Sequence, residues 1–324
     1  MSTTTGARRE QGIPYGAAPA GSAGQGGRGQ RRRTRRRWRP GVGRALMVAF
    51  LLSWSLGPVV IGVLTSISTQ RDVSSTPTHL LPSAPTLSAY RSLLGGATAG
   101  GAVAAGTVST DETGAFRGAV LNAAVSTSLT VVVVLAVAVT AGYAFSRLRF
   151  AGSRVVLVTA IATLAVPVVA VLVPLFQLLA GARLIDTQLG LVLVYSSATA
   201  PLAVWLFFNY CQDVSTDPEE AALLDGCNRW QALRHVVVPQ LVPGIAALTA
   251  IVMLAVWGQF LIPLLVAPTA HTKPVSVLVT EFSGKYRTDY PLVAAAGVLA
   301  LVPPAVVASV LNRSIRSMLG TASV

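Results

Sequence analysis

Residues 213–239 read DVSTDPEEAALLDGCNRWQALRHVVVP, the least apolar and most acid-rich stretch in the body of a chain otherwise dominated by long uncharged runs. Asp217 predicts a helix N-cap, with Pro218 at the first helical position and Glu220 three residues on closing a capping box. Acids at that end also face the positive pole of the helix. Gly226 predicts the left-handed residue that ends it. Asn228 and Gln231 offer a second capping box, and the helix they start is expected to stop near Val238, ahead of Pro239. The predicted unit is therefore a helix, a glycine turn and a second helix, joined at Pro239 to the next apolar run. Ala221 and Ala222 present a small surface, while Leu223, Leu224, Trp230 and Leu233 supply apolar contact. Two readings stand from these residues alone: an element that pushes on the adjoining apolar helix, or an amphipathic connector lying on a membrane.

The runs on either side set the class. At 52% hydrophobic, 11% charged and a mean hydropathy of +0.63, the 324 residues are too apolar for a soluble domain, in which about a quarter of residues carry charge. A span needs about 20 apolar residues, and a charge at its centre costs a few kcal/mol. Six charge-free windows qualify: 45–70, 118–146, 155–182, 187–212, 235–272 and 290–312. The fifth holds Pro239, Pro243, Pro263 and Pro268, which places its span near 241–266. The expected fold is all-α, with six transmembrane helices. A seventh window, 92–110, reads GGATAGGAVAAG at its centre; glycine at this density disfavours a helix and brings little transfer energy. It is read as a low-complexity insertion in an external loop, centred on residues 95–106.

Arginine orients the chain. Residues 1–44 hold eleven Arg against one acid, and the body is nearly neutral. With the amino terminus inside, eighteen Lys and Arg lie on the cytoplasmic side and seven outside, so the positive-inside rule is met and both termini are cytoplasmic. Most of that excess is the tail, read as a disordered topology anchor touching anionic lipid. Residues 45–324 then form the membrane domain. The run QRRRTRRRWRP lacks the stacking platform or folded module of a nucleic-acid binder, and no nucleic acid is expected. The first apolar run lacks the small-residue exit of a cleavable signal. Cys211 and Cys227 form no CxxC pair, which excludes a disulfide framework or zinc site as the organising principle.

Signs of catalysis are missing. No GxxxxGK[ST] phosphate loop occurs, and His79, His235 and His271 are scattered over separate loops. Glu219 and Glu220 are adjacent, hence on different helix faces, which argues against a carboxylate pair. Polar residues inside the windows mark a candidate solute path: Asn122, Ser126 and Ser128, then Gln177, then Asn209, then Trp257 with Gln259. A Trp beside a Gln suits a sugar, ring face to C–H groups and amide to hydroxyls; helix packing is the alternative role for each. Pro167, Pro174, Pro303 and Pro304 are expected to kink spans three and six. With no Asp, Glu, Lys or Arg inside the six windows, a secondary transporter lacks its coupling site. A membrane anchor using only the arginine tail would leave 213–239 without a role. The last inter-span loop, 268–290, mixes Lys273, Glu281, Lys285, Arg287 and Asp289 with Phe282, Tyr286 and Tyr290, which suits a wet, transient protein interface.

Glu220, Ala221, Ala222, Asp225, Gly226 and Pro239 resemble the EAA motif of binding-protein-dependent ABC transporter permeases. The run GCNRWQALRHVVVPQLVPGIAA extends the likeness, as do PTLSAYRSLL (85–94), NAAVSTSLT (122–130) and YAFSRLRFAGSR (143–154). Together they are similar to the MalG-like permeases of carbohydrate uptake, from residue 45 onward, with Cys227 where the family has a small residue. The resemblance implies a MetI-like importer permease in the plasma membrane without catalysis or cofactor of its own. It implies a second permease subunit, two ATPase subunits that bind the ATP, an extracytoplasmic solute-binding protein and a sugar substrate. Glu220 to Gly226 then correspond to a coupling helix seated on the ATPase. The loop carrying Glu281, Lys285, Tyr286 and Arg287 corresponds to the one that reaches the binding protein.

Overall fold

The computed structural model describes residues 42–75, 81–95, 112–148, 150–283 and 288–321. The chain divides into units 1–49 and 50–324. Of the first, only the start of a helix is described; the arginine tail and the core of the Gly/Ala insertion lie outside the described residues. Among the described residues the structure is helical, apart from an isolated bridge between Ser283 and Thr288.

In chain order the helices are α1 (Val42–Ser66), α2 (Gln70–Ser74), α3 (Ser88–Leu94), α4 (Glu112–Arg147), α5 (Ser153–Ala162, prolonged by a 3-10 turn to Ala165), α6 (Val168–Gly181) and α7 (Gln188–Gln212). Next come α8 (Asp217–Leu224), α9 (Arg229–Ala232), a π-helical turn (Leu233–Val237), α10 (Val238–Gln240), α11 (Val242–Trp257), α12 (Leu261–Val266), α13 (Val275–Glu281) and α14 (Tyr290–Thr321). Four of them, α1, α4, α7 and α14, are each long and apolar enough to cross a membrane, and two bent pairs bring the total to six if each counts as one span. Span three, expected as one helix over 155–182, is broken: α5 and α6 meet at 102°. Pro167 sits in extended conformation at the break and donates no backbone hydrogen bond.

The pairing of α4 with α7 shows how the broken span must run. At one end Gln188 Nε2 donates to Asn122 Oδ1 at 3.2 Å; at the other, Arg147 Nη2 donates to the Cys211 and Val214 carbonyls at 3.0 and 2.8 Å. The two helices are therefore parallel, and α5–α6 must carry the chain back along them. A Cβ on Gly142 would come within 2.8 Å of the Phe207 ring and 3.1 Å of the Phe208 nitrogen, so only glycine lets α4 and α7 approach this closely. Their shared core holds Val134, Ala138, Leu191, Val194 and Phe207, joined by Leu248, Val252 and Val256 of α11. A second cluster at the Asn122 end gathers Leu93, Phe116, Ala119, Val275, Leu292 and Ala295 from α3, α4, α13 and α14. By contrast α1 leaves Phe50, Leu52, Trp54 and Ile61 exposed, and none of its span window is buried. An apolar helix so exposed requires lipid or another subunit.

Two backbone carbonyls take their hydrogen bonds from side chains of other helices, one of them because of a proline. Pro304 leaves the Ala300 carbonyl without its i+4 donor, and Trp257 Nε1 donates to it at 3.0 Å. Just ahead of α12, the Gln259 carbonyl accepts the Ser276 hydroxyl at 2.7 Å and so joins α13 to the break after α11.

Candidate functional site

The stretch 213–239 folds as a helix, a turn and a helix, with corrections at both ends. Thr216 rather than Asp217 precedes the first turn; its own backbone is already α-like, and the Asp217 N–H donates to Ser215 Oγ at 3.2 Å. The expected Asp217–Glu220 capping box is thereby displaced, and Pro218 falls second, where a missing N–H costs nothing. Gly226 has φ +91°, the left-handed turn the sequence predicts. The Asn228–Gln231 capping box forms, each side chain and backbone pair closing at 2.8 Å. Pro239, however, does not stop the second helix. The π-helical turn over 233–237 widens the backbone ahead of it, α10 starts with proline in its first turn, and the chain bends by 79° only at Leu241.

The outward surface is built from Glu220, Ala221, Asp225 and Gly226, while Ala222 is half-buried. Its largest apolar features are Leu224, 90% exposed, and Trp230, 62% exposed. Leu233 and Val237 turn the other way and are buried. The element thus has a packed inner side and two bare apolar side chains outside.

The inner side is organised around Glu219, which neither the capping box nor the small-residue surface marks. Glu219 is 4% exposed. Tyr143 Oη donates to its Oε1 at 2.6 Å, Arg229 Nη1 lies 3.2 Å from the same oxygen, and Arg147 Nε lies 3.4 Å from Oε2. That last contact is an ion pair without hydrogen-bond alignment. Tyr143 and Arg147 are four apart on the last turn of α4, hence on one face. At about 1.5 Å per residue, the 36 residues of α4 reach some 54 Å, well beyond a hydrocarbon core of about 30 Å, which carries this turn out to meet α8. The one sequence signal for Glu219 was its place in the first turn of a helix, where a carboxylate is favoured.

The candidate path residues do not converge on one cavity. Asn122 donates its amide to the Ala270 and Lys273 carbonyls, and Ser126 donates to Ala123 within its own helix. Gln177 is exposed on α6. Trp257 is held to α14, and Gln259 is half-buried at the break after α11. In the last loop Glu281 is paired with Lys273 at 2.7 Å; Lys285, Tyr286 and Arg287 lie outside the described residues. Nearby, Asp186 accepts from the Thr269 and Thr272 hydroxyls, each at 2.5 Å, and its N–H donates to the Val266 carbonyl. Burial pulls the Asp186 pKa up, but the donations from Thr269 and Thr272 outweigh it and hold the carboxyl below its usual value.

Residues 134–318, which include this whole element, match the binding-protein-dependent transport system inner membrane component family. The chain belongs to that family. It is a multi-pass component of the inner membrane, a part of a transport system and not an enzyme. Among similar proteins, the trehalose transport system permease protein SugB of Mycobacterium tuberculosis is 27% identical over 85% of this chain and 96% of its own. The sulfoquinovosyl glycerol transport system permease protein SmoH of Agrobacterium fabrum is 28% identical over 81% and 86%. The fold is similar to that of a bacterial ABC transporter involved in import of the acidic polysaccharide alginate, with a TM-score of 0.70 at 22% identity, covering 84% of this chain and 95% of that one.

Proposed function

We propose that this chain is the permease subunit of an ABC importer, translocating a carbohydrate delivered by an extracytoplasmic solute-binding protein and driven by separate ATPase subunits that hold the ATP. The observation that carries this reading is the α8–α9 element: rigidly based on its inner side, it presents Glu220, Ala221, Leu224, Asp225 and Trp230 outward. In this reading that face lies in the cytoplasm and seats on an ATPase, with Gly226 setting the angle between the two short helices. Both termini are cytoplasmic, as the arginine bias favours. Exposed α1 and α14 meet lipid and a second permease subunit.

Carbohydrate is the substrate class because SugB and SmoH carry trehalose and sulfoquinovosyl glycerol in their names. Gln177, Trp257 and Gln259 remain the residues proposed to meet it, whereas the amide of Asn122 is spent on holding a loop. The loop with Glu281, Lys285, Tyr286 and Arg287 is proposed to contact the binding protein. Reconstitution of the chain with its companion permease and ATPase subunits tests this. Sugar-loaded binding protein should stimulate ATP hydrolysis and drive sugar into vesicles. Hydrolysis indifferent to the loaded binding protein would refute it.

A further inference from the structure

A load applied to α8 has two routes into the membrane. One follows the chain through Pro239 into α11, and passes through a π-helical turn and a 79° bend at Leu241. Wide, bent backbone of this kind yields under load. The other crosses space from Glu219 to α4. There the carboxylate meets Tyr143 and Arg147, and Arg147 also donates to the two carbonyls that close α7. Three elements are thus pinned at one guanidinium, and two of them, α4 and α7, are the parallel pair that share the main core. A buried ion pair is a weak device for stability, because apolar residues of the same volume serve as well or better; fixing a register is its best-attested use.

We propose that Glu219 is a positioning residue for energy coupling. It latches the docking element to the end of the α4–α7 pair, so that displacement of α8 reaches the membrane chiefly through Tyr143 and Arg147 rather than along the chain into α11. This deepens the permease reading and rests on it. Arg229, half-exposed beside the same oxygen, closes the outer side of the latch and ties α9 to α8.

The test is the ratio of sugar transported to ATP hydrolysed by the reconstituted complex, which does not depend on how much of the protein folds. Glu219→Gln keeps the shape and can still accept from Tyr143, but loses the charge that holds Arg147 and Arg229. The ratio should fall roughly tenfold, within the range of coupling between sites, while ATPase subunits still co-purify and basal hydrolysis continues. Glu219→Asp, which keeps the charge, should recover part of the loss. Tyr143→Phe, which removes one hydroxyl and leaves the ring packed, should give an intermediate ratio and serves as the milder probe if Glu219→Gln assembles poorly. Unchanged ratios in all three, whatever the yield, would overturn the proposal. A native complex unresponsive to loaded binding protein would instead sink the permease reading itself.

Discussion

Replacing Trp257 by Phe should destabilise the protein through one atom, and Pro304 determines by how much. In the native chain the Ala300 carbonyl has no i+4 N–H and takes its hydrogen bond from Trp257 Nε1 at 3.0 Å. Stranding a fully buried carbonyl costs about 1–3 kcal/mol in water-soluble proteins, this one is partly buried, and interhelical hydrogen bonds in a bilayer average about 0.6 with a maximum near 1.7. A loss of about 1 kcal/mol for the bond is expected, plus a packing loss from the smaller ring. A double-mutant cycle separates the two. Pro304→Ala restores an N–H four residues beyond Ala300, so in that background Trp257→Phe should cost about 1 kcal/mol less. Pro303→Ala restores an N–H to Leu299 instead and should give no such relief. Reversible unfolding in mixed detergent micelles measures all the arms. Equal costs of Trp257→Phe in the native and Pro304→Ala backgrounds, or equal relief from Pro303→Ala, would refute the assignment of Trp257 as donor to a proline-freed carbonyl.

Other outcomes follow from the loop and the clamp. At Gly226 a Cβ would meet nothing within 4 Å, so any cost is conformational, from φ +91° alone, about 1–2 kcal/mol for a residue with a side chain. Sugar uptake per membrane-inserted protein should fall from Gly to Asn to Ala and vanish with Val; normal uptake by Gly226→Val would show that the turn is not needed. Glu220→Lys should abolish uptake with the protein still in the membrane, because Glu220 is exposed and its loss is not structural; reduced insertion in place of lost uptake would contradict this. The depressed Asp186 carboxyl gives the opposite loop an acid limit. Its contribution is fully present above the ordinary value of 3.8 and is lost as pH falls through the lower folded value. Amide exchange over 266–273, corrected for its intrinsic rate, should therefore show constant protection between about pH 5 and 7. Asp186→Asn should open the same amides at neutral pH.

What sequence could show depended on how local each cause was. Gly226 and the Asn228–Gln231 box are settled within four residues and were legible. The apolar windows matched α1, α4, α7 and α14 because transfer energy needs no knowledge of neighbours. Pro239 misled because a π-helical turn, invisible to propensity, absorbs it. Pro167 predicts a kink, yet its span breaks there by 102°. Glu219 escaped because what buries it comes from Tyr143, 76 residues away in the chain. Adjacent Glu219 and Glu220 look interchangeable in sequence, yet one faces inward to a latch and the other outward. Trp257 drew attention as a sugar platform; its indole N–H serves a carbonyl that only the placement of Pro304 leaves free.

The proposed cytoplasmic docking face centres on Leu224, which is 90% exposed. A photo-crosslinking side chain at Leu224, activated in intact cells, tests it directly, with Ala270 at the opposite end of the bundle as the control. The proposed docking face is expected to give an adduct with the ATPase subunit from Leu224 and none from Ala270. An ATPase adduct from Ala270, or an adduct of Leu224 with the external binding protein, would contradict it.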